Sequence, residues 1–146
     1  MTLSLDANVL IDLTRGKQPH LRARWDEELA AGSDLRLSTV TLQELLLGAE
    51  LSARPDHQHA LLQRFLVGVT IEPWTADDAA FTSRLRAEFK RRGDRIGAYD
   101  TLIAGQALAR GWVVVSANVR EFARVPGLRL IDWSDPAGPV EHGAGL

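Results

Sequence analysis

The stretch WVVVS, residues 112–116, decides the fold. Val113, Val114 and Val115 follow one another without a polar break, and β-branched residues favour extended backbone. A strand that is apolar on both faces has to be covered on both, as a central strand of a parallel sheet is. Gly111 stands just before the run and ends a helix that starts near Gly97. Beyond the run, residues 118–125 read as a turn or one helical turn, and residues 128–132 as a last strand.

The same alternation extends to the N-terminus. Residues 2–5 form a short strand stopped by Asp6; Asn8 is placed to cap a helix through Leu13, closed by Gly16. Residues 20–31 are helical, with Leu21, Trp25 and Leu29 on one face, and Gly32 ends them. Residues 35–38 make a second strand, after which Thr39 or Thr41 caps a Leu-rich helix to Leu51. Pro55 suits the first position of the next helix, which shows Leu61, Leu62, Phe65 and Leu66. Residues 69–72 form a third strand before Pro73, and Thr75 or Asp77 caps a helix to about Arg92 with Ala80, Phe81, Leu85 and Phe89 inward. Strands alternating with helices imply an α/β fold, a parallel sheet with helices on both faces. Residues 134–146 carry Pro136, Pro139 and three glycines, and read as a loose C-terminal tail.

The 146 residues suit one domain, and 45% hydrophobic with 25% charged residues is ordinary for a globular protein. There is no cysteine, which excludes disulfides, thiolate metal sites and a cysteine nucleophile. Net charge is −2, from 17 basic and 19 acidic residues, so the chain is no polycation; a local basic track beside an acidic site is still compatible with it. All the basic residues but Lys17 and Lys90 are Arg. No stretch has the length of a membrane span or the charge pattern of a signal peptide, so the cytoplasm is expected.

In open α/β sheets ligands bind beyond the carboxyl ends of the strands. The polar residues placed there are Asp6, Asn8, Ser38, Thr39, Ser116 and Asn118. Asp6 follows the first strand and precedes a helix, where the macrodipole alone would also favour a carboxylate. Glu44 interrupts an apolar stripe of Val40, Leu47 and Leu51; a capping box with Thr41 is the competing explanation. Asp100 lies early in a helix that is apolar on nearly all sides, and a salt bridge, for instance to Arg95, is the competing explanation there. Three carboxylates from separate segments at one mouth repel one another unless cations neutralise them. Hard divalent ions, Mg²⁺ or Mn²⁺, fit oxygen ligands, and metal-assisted phosphoester chemistry is the reading that follows.

Four stretches, LDANVLIDL (5–13), STVTLQELLLGAE (38–50), IGAYDTLIAGQAL (96–108) and VVVSANVREFARVPGLRLIDW (113–133), together resemble a PIN domain, in particular the VapC-type ribonuclease toxins of toxin–antitoxin pairs. The likeness spans residues 2–133 and leaves the tail outside it. It implies a PIN-like three-layer sandwich with a five-stranded parallel sheet, and an endoribonuclease dependent on Mg²⁺ or Mn²⁺. Asp6, Glu44 and Asp100 fall on acidic metal-site positions of the family, and Asn8 with Thr39 or Ser38 on positions that brace them. The fourth position falls on Asn118, preceded by Ala117, where a larger polar residue is common. Asn118 is therefore a weaker ligand; Ser116 supports the site, and Glu121 either assists or is an ordinary exposed acid. The resemblance also implies a homodimer and silencing by a small cognate antitoxin. The helices supply apolar surface for both: Trp25, Leu45–Leu47 and residues 61–66.

Arg91, Arg92 and Arg95 read as a solvated helix end or as contacts for RNA phosphates. His57 and His59 are two apart on a helix and point to different faces. The alternatives are another PIN-like nuclease for RNA processing or DNA flaps, an inactive RNA-binding scaffold, and a phosphoacceptor module. The last would need a Lys near a late strand end, and Lys17 and Lys90 are both distant in the chain.

Overall fold

The computed structural model describes residues 1–135; the rest of the expected tail, residues 136–146, lies outside the described residues. Five strands, β1 (Thr2–Leu5), β2 (Asp34–Ser38), β3 (Thr70–Glu72), β4 (Val113–Val115) and β5 (Arg129–Ile131), form one sheet in the order β3-β2-β1-β4-β5. All pairings are parallel, with Leu3 beside Leu35 on one side and Val113 on the other. The chain builds outward from β1 to β3, then returns to place β4 on the other flank of β1. The order therefore reverses between β1 and β4, and the crevice beyond their carboxyl ends is where such sheets bind ligands.

Seven helices cover the sheet among the described residues: α1 (Ala7–Arg15), α2 (Pro19–Ala30), α3 (Thr39–Glu50), α4 (Pro55–Leu66), α5 (Ala76–Arg92), α6 (Ala98–Arg110) and α7 (Val119–Phe122). The three valines explain the layering. Val113 and Val115 pack into one core with Leu3, Leu5, Leu35, Leu37, Leu10 and Trp25, under α1 to α4. Val114 points the other way, to Phe89, Ile103, Ala107, Phe122 and Leu130 under α5 to α7. All three are fully buried, each worth roughly 1.5–3 kcal/mol of transfer free energy.

Several local expectations change. Asp6, not Asn8, is the N-cap of α1, its carboxylate accepting from Ala7 N–H at 2.8 Å, and Asn8 is exposed one position into the helix. Ser38, not Thr39 or Thr41, caps α3 through Val40 N–H at 3.2 Å. In both places the helix starts directly at the strand end, so the last strand-side polar residue becomes the cap. Thr75 caps α5 in a reciprocal box with Asp78. The face α5 buries is Asp78, Thr82 and Phe89, while Ala80 is exposed and Phe81 and Leu85 are half-buried. Two contacts with α6 turn it. Arg110 bonds the Asp78 carboxylate at 2.7 Å, and Thr82 packs on Gly105, where a Cβ would stand 1.9 Å from its hydroxyl oxygen. Leu29, expected inside, is 39% exposed at the helix end, whereas Trp25 packs edge-on against Phe65 and the buried Trp133.

Candidate active site

The crevice between β1 and β4 collects four acids from four segments, three of them at helix starts and Glu44 from the second turn of α3. Asp6 leaves β1 with its backbone N–H still bonded to Val115 O, and its second carboxylate oxygen accepts from Ser116 Oγ at 2.7 Å. Ser116 Oγ in turn accepts from Asn118 N–H at 2.9 Å. The Asn118 side-chain amide donates to Asp100 at 3.1 Å and to Glu121 at 3.4 Å. Glu121 also accepts from Gly97 N–H, at the first turn of α6. One continuous hydrogen-bonded chain thus runs from Asp6 through Ser116 and Asn118 to Asp100 and Glu121.

Glu44 enters from α3, half-buried. Thr41 is inside α3 and fully buried, which removes the capping box; its hydroxyl has no hydrogen-bond partner among the described residues. Among the described residues Asp100 has no ion pair with an arginine, so the salt-bridge explanation falls away too. Asn118 occupies the N-cap position of α7 but makes no side-chain capping bond; its amide goes to the acids instead. Glu121 is half-buried and doubly bonded, unlike an ordinary exposed acid.

The electrostatics follow from this crowding. Burial, then the charges of Asp6, Glu121 and Glu44, push Asp100 up to about 7. Burial and the charge of Asp6 raise Glu44. Burial also raises Asp6, against the hydrogen bonds from Ser116 and Ala7 that favour its ionised form. A carboxyl raised this far by burial and by neighbouring carboxylates marks a functional site more than a structural one. Among the described residues no three acidic or histidine side chains close on one point as a finished metal cage. The donor set is nonetheless all oxygen, has no salt-bridged cation among the described residues, and suits a hard divalent ion in charge and type.

Two other expected residues stand elsewhere. Thr39 is exposed, and its hydroxyl accepts from Trp74 N–H, fastening the chain after β3 rather than bracing a carboxylate. Asn8 is exposed and takes no part in the acids' hydrogen-bonded chain among the described residues, since the cap is Asp6 itself; Ser116 is the group that braces Asp6. Gly97 was not singled out in the sequence. A Cβ there would stand 3.2 Å from Glu121 and 3.5 Å from Asp100, so a residue without a side chain lets the acids close over its N–H. The signal was legible as a glycine three residues before an acid at a helix start.

Residues 3–128 match the PIN domain. The chain is 39% identical over 129 residues to the tRNA(fMet)-specific endonuclease VapC of Salmonella typhimurium, covering 88% of this chain and 96% of that one. It is 34% identical to Ribonuclease VapC2 of Haemophilus influenzae, with 88% and 96% covered. Among solved structures it resembles the DNA-bound VapBC complex of Salmonella typhimurium, with TM-score 0.83, 37% identity and 91% and 98% covered. It also resembles VapBC2 of Rickettsia felis bound to a promoter DNA fragment, with TM-score 0.85, 26% identity and 91% and 99% covered. The chain belongs to the PIN-domain family, in the VapC branch of ribonucleases.

Proposed function

We propose that this chain is an endoribonuclease that needs Mg²⁺ or Mn²⁺ and serves as the toxin of a toxin–antitoxin pair. The observation that carries the metal requirement is the crowding of Asp6, Glu44, Asp100 and Glu121 at the sheet's switch point, with Asp100 raised to about 7 by burial and by the charges of the others. Asp6 and Asp100 would hold the ion chiefly, with Glu44 completing the acidic side. A bound divalent ion supplies positive charge to the phosphodiester oxygens and lowers the pKa of an attacking water. The chain's own residues keep the acids in place. Ser116 orients Asp6, and the Asn118 amide separates and aims Asp100 and Glu121. The Gly97 N–H holds the far oxygen of Glu121.

VapBC complexes of similar fold support a small antitoxin as the partner. A groove of about 370 Å³ between α2 and α4, lined by Trp25, Leu29, Leu61 and Phe65 with Arg22 and Arg64 at its rim, is the surface proposed for it. Leu47, Leu51 and Ile71 expose apolar surface on α3 and β3 and are the face proposed for a homodimer. Among the described residues no helix is long and apolar enough to cross a membrane.

The direct test is cleavage of single-stranded RNA by the purified chain with Mg²⁺, with Mn²⁺ and with chelator. Cleavage that needs the ion and disappears in Asp100→Asn supports the reading; cleavage that survives chelator or the substitution overturns it.

A further inference from the structure

We propose that a basic trough leading away from the acids, along α7 and the turn between α5 and α6, carries the RNA strand on one side of the cut. This rests on the ribonuclease reading and adds the path and the residues that hold it. Two adjoining recesses form the trough. One, of about 440 Å³, is lined by Arg95, Ile96, Gly97, Asn118, Arg120 and Glu121, with Arg124 at its wall. The other, of about 470 Å³, is lined by Arg86, Phe89, Lys90, Asp94, Arg95 and Ile96 among others. Arg95 and Ile96 line both, so the two recesses adjoin at these residues, and the near end is formed by Asn118 and Glu121 of the acidic chain.

Of the cations lining the trough only Arg124, among the described residues, is spent on an acid of its wall. Asp94 is engaged by Arg92 at 3.6 Å and Arg124 at 3.5 Å. Among the described residues Arg86, Lys90, Arg95 and Arg120 are exposed and have no acidic partner. Arg86 and Lys90, four apart on α5, share a face. Their sequence neighbours turn elsewhere: Arg91 goes to Glu88 at 3.7 Å, and Arg92 stacks over Phe89 beside Asp94. The basic cluster legible in the sequence is therefore split by the fold, with Arg95 on the trough and Arg91 and Arg92 committed locally. A chain of net charge −2 that sets Arg86, Lys90, Arg95 and Arg120 along two adjoining recesses, ending at acids suited to divalent ions, is built for an elongated polyanion. A single-stranded RNA meets that description, each neutralised phosphate adding about −0.7 to the salt slope of log affinity.

The test uses the full chain carrying Asp100→Asn, so that bound RNA is not cut. Binding of a labelled single-stranded RNA about 15 nucleotides long is titrated at several salt concentrations, enough to fill the path at a site size of about 4–16 nucleotides. Adding Arg86→Gln, Lys90→Gln and Arg95→Gln should weaken binding by at least about tenfold at low salt and flatten the slope by about 2. Arg54→Gln, at the start of α4 on the opposite layer, should change neither. The single Arg95→Gln serves if the triple variant melts early. In the active background, the trough variants should raise KM for long RNA by a larger factor than KM for a trinucleotide. Unaltered affinity and slope would overturn the trough while leaving the nuclease standing. So would a loss confined to binding of an acidic peptide. Failure of the unmodified chain to cut RNA with either ion would instead remove the ribonuclease reading itself.

Discussion

Replacing Asp100 by Asn in chelated buffer should make the protein more stable, and only at neutral to alkaline pH. Asp100 is raised from 3.8 to about 7, by burial first and then by the charges of Asp6, Glu121 and Glu44. An acid whose folded value lies above its unfolded value disfavours folding once it ionises. The penalty is absent below the unfolded value, grows between about pH 4 and 7, and is complete above 7. At about 1.36 kcal/mol for each pH unit the whole shift corresponds to roughly 4 kcal/mol. Asp100 is only half-buried, and solvent screening reduces the realisable part to about 1–2 kcal/mol. Asn keeps an oxygen to accept the Asn118 amide and carries no charge. In a domain of this size the gain should raise Tm by about 3–6 °C at pH 8.5 and by almost nothing at pH 4.5. Thermal melts of both proteins across that range, with chelator present, read it directly. Adding Mg²⁺ at pH 7.5 should reverse the order, since an ion that binds only the folded state stabilises the parent more. A variant no more stable than the parent at pH 8.5, or a gap independent of pH, would refute the claim that these carboxylates repel one another.

Other substitutions probe neighbouring features. Asn118→Asp trades an amide donor for another carboxylate against Asp100 and Glu121, so it should lose about 1 kcal/mol in chelated buffer and bind Mg²⁺ more tightly by calorimetry. Gly105→Ala forces a methyl onto Thr82 and should cost about 1–3 kcal/mol in urea unfolding, with Gly105→Ala plus Thr82→Ala recovering most of it. Arg110→Gln leaves Asp78, whose side chain is 1% exposed, without its cation and should cost about 2–4 kcal/mol at pH 7. Burial opposes the ionised form of Asp78, but Arg110 and Thr75 outweigh it and hold its value low, so that cost should shrink as the pH falls below about 4. Tyr99 is 47% exposed beside Asp100, its hydroxyl reaching Gln43 at 3.4 Å, and Tyr99→Ala should weaken RNA binding by about 1–3 kcal/mol if a base stacks there.

What the sequence by itself determined was the sheet and the identity of its acids. Three successive valines can satisfy only a strand covered on both faces, and glycines at 16, 93 and 111 end helices in left-handed backbone. At the fourth expected stop, Gly32, the helix already ends at Ala30, with Ala31 as a right-handed C-cap. Because strands and helices alternate, the carboxyl ends of the strands have to face one side, which places Asp6, Ser116 and Asn118 there from the sequence alone. The cap identities at Asp6 and Ser38 were less legible, since a helix boundary shifts by a residue according to where the strand hydrogen bonds end. The partners of each charge were not legible at all. Whether Asn118 caps α7 or bridges Asp100 and Glu121 depends on how α6 and α7 meet, and which residues of α5 turn inward depends on how α5 packs on α6. Gly105 against Thr82 and Arg110 against Asp78 set that contact, between residues 23 and 32 positions apart. Periodicity along one helix reports which face is apolar; it carries no information on which residue of another helix the face will meet, and that is what tertiary packing decided.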